Sequence, residues 1–246
     1  MKPRVLALAI ILALVAFSGC VSVDVLHKLN RDGSSFIVQK LDFSDFPAMA
    51  NAYGTASPAE FCEKIMSDNP GLGCTFEGKA LWLNKTVNAA DATYLFNRTL
   101  EFPYSIYRVE VRKPPVIVSA NTSDELGGDA SEVGDFKDPS SKPAAAMLRV
   151  AGIKAAYTIQ MPGEIISAEN GDITVDAQGR TYAKYDMLRL MDDGEYMIVT
   201  SKELDLVAVG IVVAAVGLLV GGIGVALVLK EASEKKLRGG FGRKRY

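Results

Sequence analysis

The longest apolar stretch of the chain covers residues 206–229, LVAVGIVVAAVGLLVGGIGVALVL, 24 residues without a charged or strongly polar side chain. At ~1.5 Å of rise per residue it predicts roughly 36 Å of helix against a hydrocarbon core of ~30 Å, long enough to span a membrane with some tilt. A second apolar run, residues 5–17, follows Lys2 and Arg4. Its 13 residues are short for a span, and the order of basic then apolar residues predicts a secretory signal over residues 1–19. Between these runs the pattern breaks into short elements. Val21, Val23 and Val25 alternate with Ser22 and Asp24, the turn Asn30-Arg31-Asp32-Gly33 follows, and Phe36-Ile37-Val38 returns, which predicts a hairpin. Phe46, Met49, Ala50 and Tyr53 recur at helical spacing, and Ser57-Pro58-Ala59-Glu60 opens a further helix that Asn69-Pro70-Gly71 stops. Strands are predicted over 80–86, 94–102, 106–118, 154–161, 165–168, 173–175, 182–190 and 196–200, with Asn170-Gly171, Gly179 and Asp192-Asp193-Gly194 as turns. Pro114-Pro115 cannot donate to a ladder, so the strand over 106–118 is interrupted, bulged or at a sheet edge there. The order predicts an α+β domain over residues 20–205, mainly antiparallel with one or two helices, closed by the membrane helix.

Charge adds an orientation. After the span, residues 230–246 hold seven basic side chains against Glu231 and Glu234, whereas residues 21–205 hold 18 basic and 27 acidic ones, near −9. Basic residues beside a span stay in the cytoplasm, so the domain is expected outside and the tail inside a cell membrane crossed once. The acidic domain argues against a nucleic-acid partner; the tail reads as a topology signal and a contact for anionic lipid. Residues 121–143 are acidic, rich in Gly, Ser and Pro and nearly free of large apolar side chains, which predicts a flexible insertion.

Three cysteines are present, Cys20, Cys62 and Cys74. Phe17-Ser18-Gly19-Cys20 resembles a lipobox, with Phe in place of the usual Leu. That reading makes Cys20 a lipidated mature N-terminus, and the alternatives are ordinary cleavage nearby or an uncleaved anchor. With Cys20 lipidated, Cys62 and Cys74 form an even pair outside the cytoplasm, to be read as a structural disulfide or as free thiols; the spacing is not that of a metal or redox CxxC pair. The one histidine, His27, lies in phase with the valines of the first strand and reads as structural. Trp82, between Leu81 and Leu83, reads as core rather than as a sugar-stacking platform. No P-loop, GxGxxG, GxSxG or calcium-loop motif occurs, so neither an enzyme nor a metal or other cofactor is expected. Asn84, Asn97 and Asn121 open Asn-X-Ser/Thr sequons, glycosylation candidates on the outer side. In the span, Gly210, Ala214, Gly217, Gly221 and Gly224 form a small-residue stripe that would pack against a second copy or another membrane protein.

The order of Cys20, an opening strand at Val21, Val23 and Val25, then Tyr157-Thr158-Ile159-Gln160-Met161-Pro162-Gly163, Asn170-Gly171, a strand meander to Thr200 and a closing membrane helix resembles the LppM-like family of lipoprotein ectodomains. The resemblance is strongest over residues 155–202. It implies a surface-held α+β domain with a curved, mainly antiparallel sheet that binds lipid or glycolipid, and it carries no catalytic residues to transfer. The acidic insertion and the three cysteines depart from that pattern and leave the ligand open. The competing expectation is a surface scaffold or an accessory subunit of a membrane complex, recognising protein through the acidic face and the small-residue helix. An open apolar cavity would favour the first, a wholly filled core the second.

Overall fold

The computed structural model describes residues 22–42, 57–113, 136–137, 141–150 and 152–240. The signal segment, Cys20, the helix expected over 46–53, Pro114-Pro115, Asn121 and most of the acidic insertion lie outside these residues. The described strands form two sheets. The larger takes seven, β1 (Ser22–Leu29), β2 (Ser35–Asp42), β3 (Leu72–Glu77), β4 (Ala80–Val87), β7 (Lys154–Gln160), β9 (Asp172–Val175) and β10 (Thr181–Asp186), in the order β3-β4-β2-β1-β7-β10-β9. The smaller takes β5 (Leu95–Glu101), β6 (Tyr104–Val111), β8 (Glu164–Glu169) and β11 (Met197–Leu204), in the order β5-β6-β11-β8. The helices are α1 (Pro58–Asp68), α2 (Ser141–Val150), α3 (Met187–Asp193) and α4 (Leu206–Gly240). The fold is α+β.

Alternation along the strands sets the core. In β1, Val25, His27 and Leu29 are buried while Asp24, Leu26 and Lys28 face out, the period of two that a half-buried strand requires. The predicted hairpin forms with Leu29 opposite Ser35 and His27 opposite Ile37. On its other side β1 pairs in parallel with β7, Val25 against Tyr157 and His27 against Ile159, and β10 continues antiparallel with Tyr185 against Tyr157. Buried residues of both sheets form one cluster that includes Val25, Ile37, Leu83, Tyr107, Val109, Tyr157, Ile159 and Val199. The hydroxyls of its four tyrosines are paired: Tyr94 donates to the Gly33 carbonyl (2.7 Å), Tyr107 to Glu203 (3.2 Å) and Tyr185 to the Ile198 carbonyl (3.2 Å), and Tyr157 meets His27 Nδ1 (2.8 Å). A buried hydroxyl without such a partner would cost ~1–3 kcal/mol.

Local chemistry shapes the helices. Ser57 Oγ accepts from the Glu60 N–H (3.2 Å), Pro58 opens α1, and Asn69 ends it by donating to the Ile65 carbonyl (3.0 Å). Phe61, Cys62 and Ile65 face inward, and a Cys62–Cys74 disulfide with a Cα–Cα distance of 5.4 Å ties α1 to β3. The segment over 182–190, read from the sequence as one strand, divides at Asp186. Its carboxylate accepts from the N–H groups of Leu188 (3.0 Å) and Arg189 (3.2 Å), caps α3, and so ends β10. Residues 141–143, assigned from composition to the insertion, belong instead to α2, which packs on α3 and carries Arg149 to Asp192. Trp82 is not a core residue: Leu81 and Leu83 occupy the inner face of β4, so the indole lies half-buried on the other side with Lys40 Nζ 5.6 Å from its centroid.

The described residues divide into two units, one within 22–99 and 106–203, the other comprising Leu100–Ser105 and the chain from Leu204. In the second unit, Leu206–Lys230 of α4 is long and apolar enough to cross a membrane, and none of its most apolar stretch is buried against protein.

Candidate binding cleft

Where β1 and β7 run out, side by side and parallel, their ends and the turns that follow surround an open cleft of about 770 Å³. Lys28 and Gln160 are cross-strand partners at its wall, and the buried side chains of Leu29 and Met161 supply apolar lining. The β1–β2 turn contributes Arg31 and Asp32, the turn into β10 contributes Arg180, and β11 contributes Glu203. The volume lies within the range of small-ligand sites.

Most charges at the rim are held by neighbours. Arg31 grips Glu203 with two bonds, Nε to Oε2 at 2.8 Å and Nη2 to Oε1 at 2.5 Å, and Tyr107 donates a third to the same carboxylate. The Arg31 guanidinium holds Glu203 below the usual carboxylate range, against an opposing effect of burial. With Arg31 largely exposed, the pair adds little stability; its consequence is positional, pinning the β1–β2 turn to the end of β11. Asp32 is likewise held low, by hydrogen bonds from the Ser34 hydroxyl and N–H. Arg180 turns back to Asp176, its Nε 2.7 Å from Oδ2. Lys28 has no ion-pair partner among the described residues. The cleft therefore offers one uncommitted ammonium and the Gln160 amide beside a small apolar surface, a set suited to a polar or anionic headgroup.

One wall depends on glycine. Met161-Pro162-Gly163 turns the chain from β7 into β8 against β11, where Ser201 Oγ donates to the Pro162 carbonyl (2.8 Å). Gly163 has φ +73°, and a Cβ there would lie 2.2 Å from the Lys202 carbonyl oxygen, so both backbone conformation and space exclude a side chain.

The cysteines, sequon asparagines, small helix residues and histidine read from the sequence lie elsewhere. Cys62 and Cys74 join α1 to β3 as a disulfide. Asn84 is half-buried in β4 against Gly73, whereas Asn97 is exposed on β5. Gly210, Ala214, Gly217, Gly221 and Gly224 lie exposed along α4, with nothing within 4 Å of where the glycines' Cβ atoms would be. His27 is fully buried between Ile37 and Ile159, its ring edge-on to Tyr94 (centroids 4.9 Å apart) and Tyr157 (5.9 Å), and Nε2 has no hydrogen-bond partner among the described residues. Burial lowers its pKa to about 4. Sequence reading missed Lys28, Arg31, Arg180 and Glu203, because turn and strand-end residues carry no motif. Met161-Pro162-Gly163 and the turns at Asn30-Arg31-Asp32-Gly33 and Gly179 are the sequence signals that fall at this place, as turns rather than as a site.

No protein-family model matches the chain, and no curated protein matches it. A solved structure that is similar is the NMR structure of the folded domain of LppM from Mycobacterium tuberculosis, with a TM-score of 0.30 and 10% identity, covering 77% of this chain and 92% of that one. The resemblance is weak and at the level of fold.

Proposed function

We propose that the protein is a cell-surface lipoprotein without enzymatic activity, held by lipid at Cys20 and by the helix from Leu206, which binds the headgroup of a lipid or glycolipid in the cleft beside Lys28 and Gln160. In this reading residues 20–205 are outside and residues 230–246 in the cytoplasm. The observation that carries it is the cleft itself: about 770 Å³, open, with an ammonium that forms no ion pair among the described residues next to an amide and an apolar floor. A rim with this much charge supports recognition of a headgroup over an acyl chain. Native mass spectrometry of the full-length protein released from nanodiscs made with its host's lipids tests this. Wild type should retain one lipid per chain, and Lys28→Glu should lose it while keeping its fold. A folded wild-type protein that retains none would overturn the reading.

The second reading, a scaffold or accessory subunit, is favoured by the exposed small-residue stripe of α4, which would admit a second copy or another membrane protein at close range.

A further inference from the structure

The second structural unit contains a feature the cleft does not use. Between β5 and β6 the chain turns at Phe102-Pro103, and this tip is hydrogen-bonded to the residue that begins the apolar helix. The Asp205 N–H donates to the Pro103 carbonyl (2.9 Å), Ser105 Oγ donates to Asp205 Oδ2 (2.9 Å), and Asp205 Oδ1 accepts from the Ala208 N–H (3.0 Å) as the cap of α4. Around these bonds large apolar side chains stand out: Leu100 is 61% exposed, Phe102 59% and Tyr104 41%, beside Leu206 and Val207 of the first helical turn at 73% and 74%.

We infer that the hairpin tip Leu100–Ser105 inserts into the headgroup region of the membrane crossed by α4, as a second membrane contact. The inference rests on α4 being a span, and it is independent of what the cleft binds. Asp205 sets the depth. An ionised carboxylate at the start of a span stops among the headgroups, and the hydrogen bonds to Pro103 and Ser105 hold the tip at that same level. Aromatic side chains favour this layer, where an apolar ring is shielded while backbone and hydroxyl groups stay wet, and Phe102 and Tyr104 are placed for it. Glu101, the one ionisable acid on the tip, keeps the insertion shallow. A lipid surface is favoured over a protein partner because the tip is bonded to the point where the chain enters the bilayer, so any occupant of its exposed face must share that layer with lipid.

Depth-dependent fluorescence quenching tests this on the full-length protein in nanodiscs of phosphatidylcholine and phosphatidylglycerol. Phe102→Trp, Leu218→Trp and Met66→Trp are each made in a Trp82→Phe background, Met66 being exposed on α1 and outside the cleft lining, and the nanodiscs carry brominated lipid labelled either shallow or deep in the acyl chain. The indole at position 102 is expected to emit to the blue of that at position 66 and to be quenched at least twofold more by shallow than by deep label, with the reverse ratio at position 218. Quenching at 102 no greater than at 66, while 218 responds to deep label, would overturn the tip contact and leave the span intact. No quenching at either 102 or 218 would overturn both. A blue-shifted indole at 102 that no lipid label quenches would mean a protein covers the tip, and would also overturn the inference. Should Trp82→Phe fail to fold, the same comparisons are read as differences from the wild-type Trp82 signal.

Discussion

His27 puts an imidazole where a strand core normally has an aliphatic side chain, and the consequence is a pH dependence. Its pKa is about 4 in the fold against 6.5 in an exposed histidine, because burial disfavours the charged ring. Between those values the unfolded chain takes up a proton that the folded one refuses, so stability is fully present above pH 6.5 and declines as pH falls toward 4, by about 3 kcal/mol in all. Below pH 4 this residue adds no further slope. Urea unfolding of the full-length protein in detergent across pH 4–7 should show the decline, and His27→Leu should flatten it relative to wild type even if the variant is less stable overall. A wild-type curve whose slope over that window is unchanged by the substitution would assign the pH dependence to carboxylates.

Two elements carry testable couplings of their own. The disulfide joins positions 12 apart, α1 to β3, and α1 otherwise holds to the sheet through Phe61 and Ile65. In the chain-entropy account a loop of that length is worth about 3 kcal/mol, so Cys62→Ala with Cys74→Ala should lower the unfolding free energy by roughly that much; a loss under ~1 kcal/mol would place the hold in the side-chain packing alone. In α4 the small residues recur at spacings of four, three, four and three, one stripe of an α-helix. If the proposed self-association uses it, crosslinked dimers in native membranes should vanish when Gly217 and Gly221 are both replaced by Ile, and unchanged crosslinking would remove the stripe as the interface.

For the whole molecule the asymmetry of charge makes the strongest demand. Residues 21–205 are acidic and the tail after Lys230 is basic, so the proposed topology has a single outcome for a protease added to intact cells. Fragments of the β-rich domain should appear while an epitope at the C-terminus stays protected until the cells are opened. Protection of the domain with digestion of the tail would invert the assignment. Glu203 and Asp205, two positions apart, each hold a turn. The first pins the β1–β2 turn at the cleft rim of one unit through Arg31, and the second caps the helix of the other and holds the hairpin tip.

What the chain by itself determined is what depends on neighbours in sequence. The long apolar helix α4 follows from 24 apolar residues in a row, α1 from a Ser cap, a Pro and a stop at Asn69, and the β1–β2 hairpin from alternation on both sides of a four-residue turn, because periodicity and capping act within a few positions. Trp82 was legible in principle: with Leu81 and Leu83 buried, a strand's period of two sends the residue between them to the other face. Other features waited on contacts between distant segments. Asp186 turns a strand into a helix cap only once β10 has reached its end beside β7, and α2, poor in large apolar residues, is recognisable as a helix mainly through the partner it packs on. The two sheets share one core, but nothing local says which strands join which. Above all, the parallel pairing of β1 with β7 joins residues some 130 positions apart, Leu26 to Thr158, and it is this pairing that brings Lys28 beside Gln160 and creates the cleft. Such a pairing is selected by the burial of Val25, His27, Tyr157 and Ile159 in one packed layer, a free energy that belongs to the assembled core and to no single stretch of sequence.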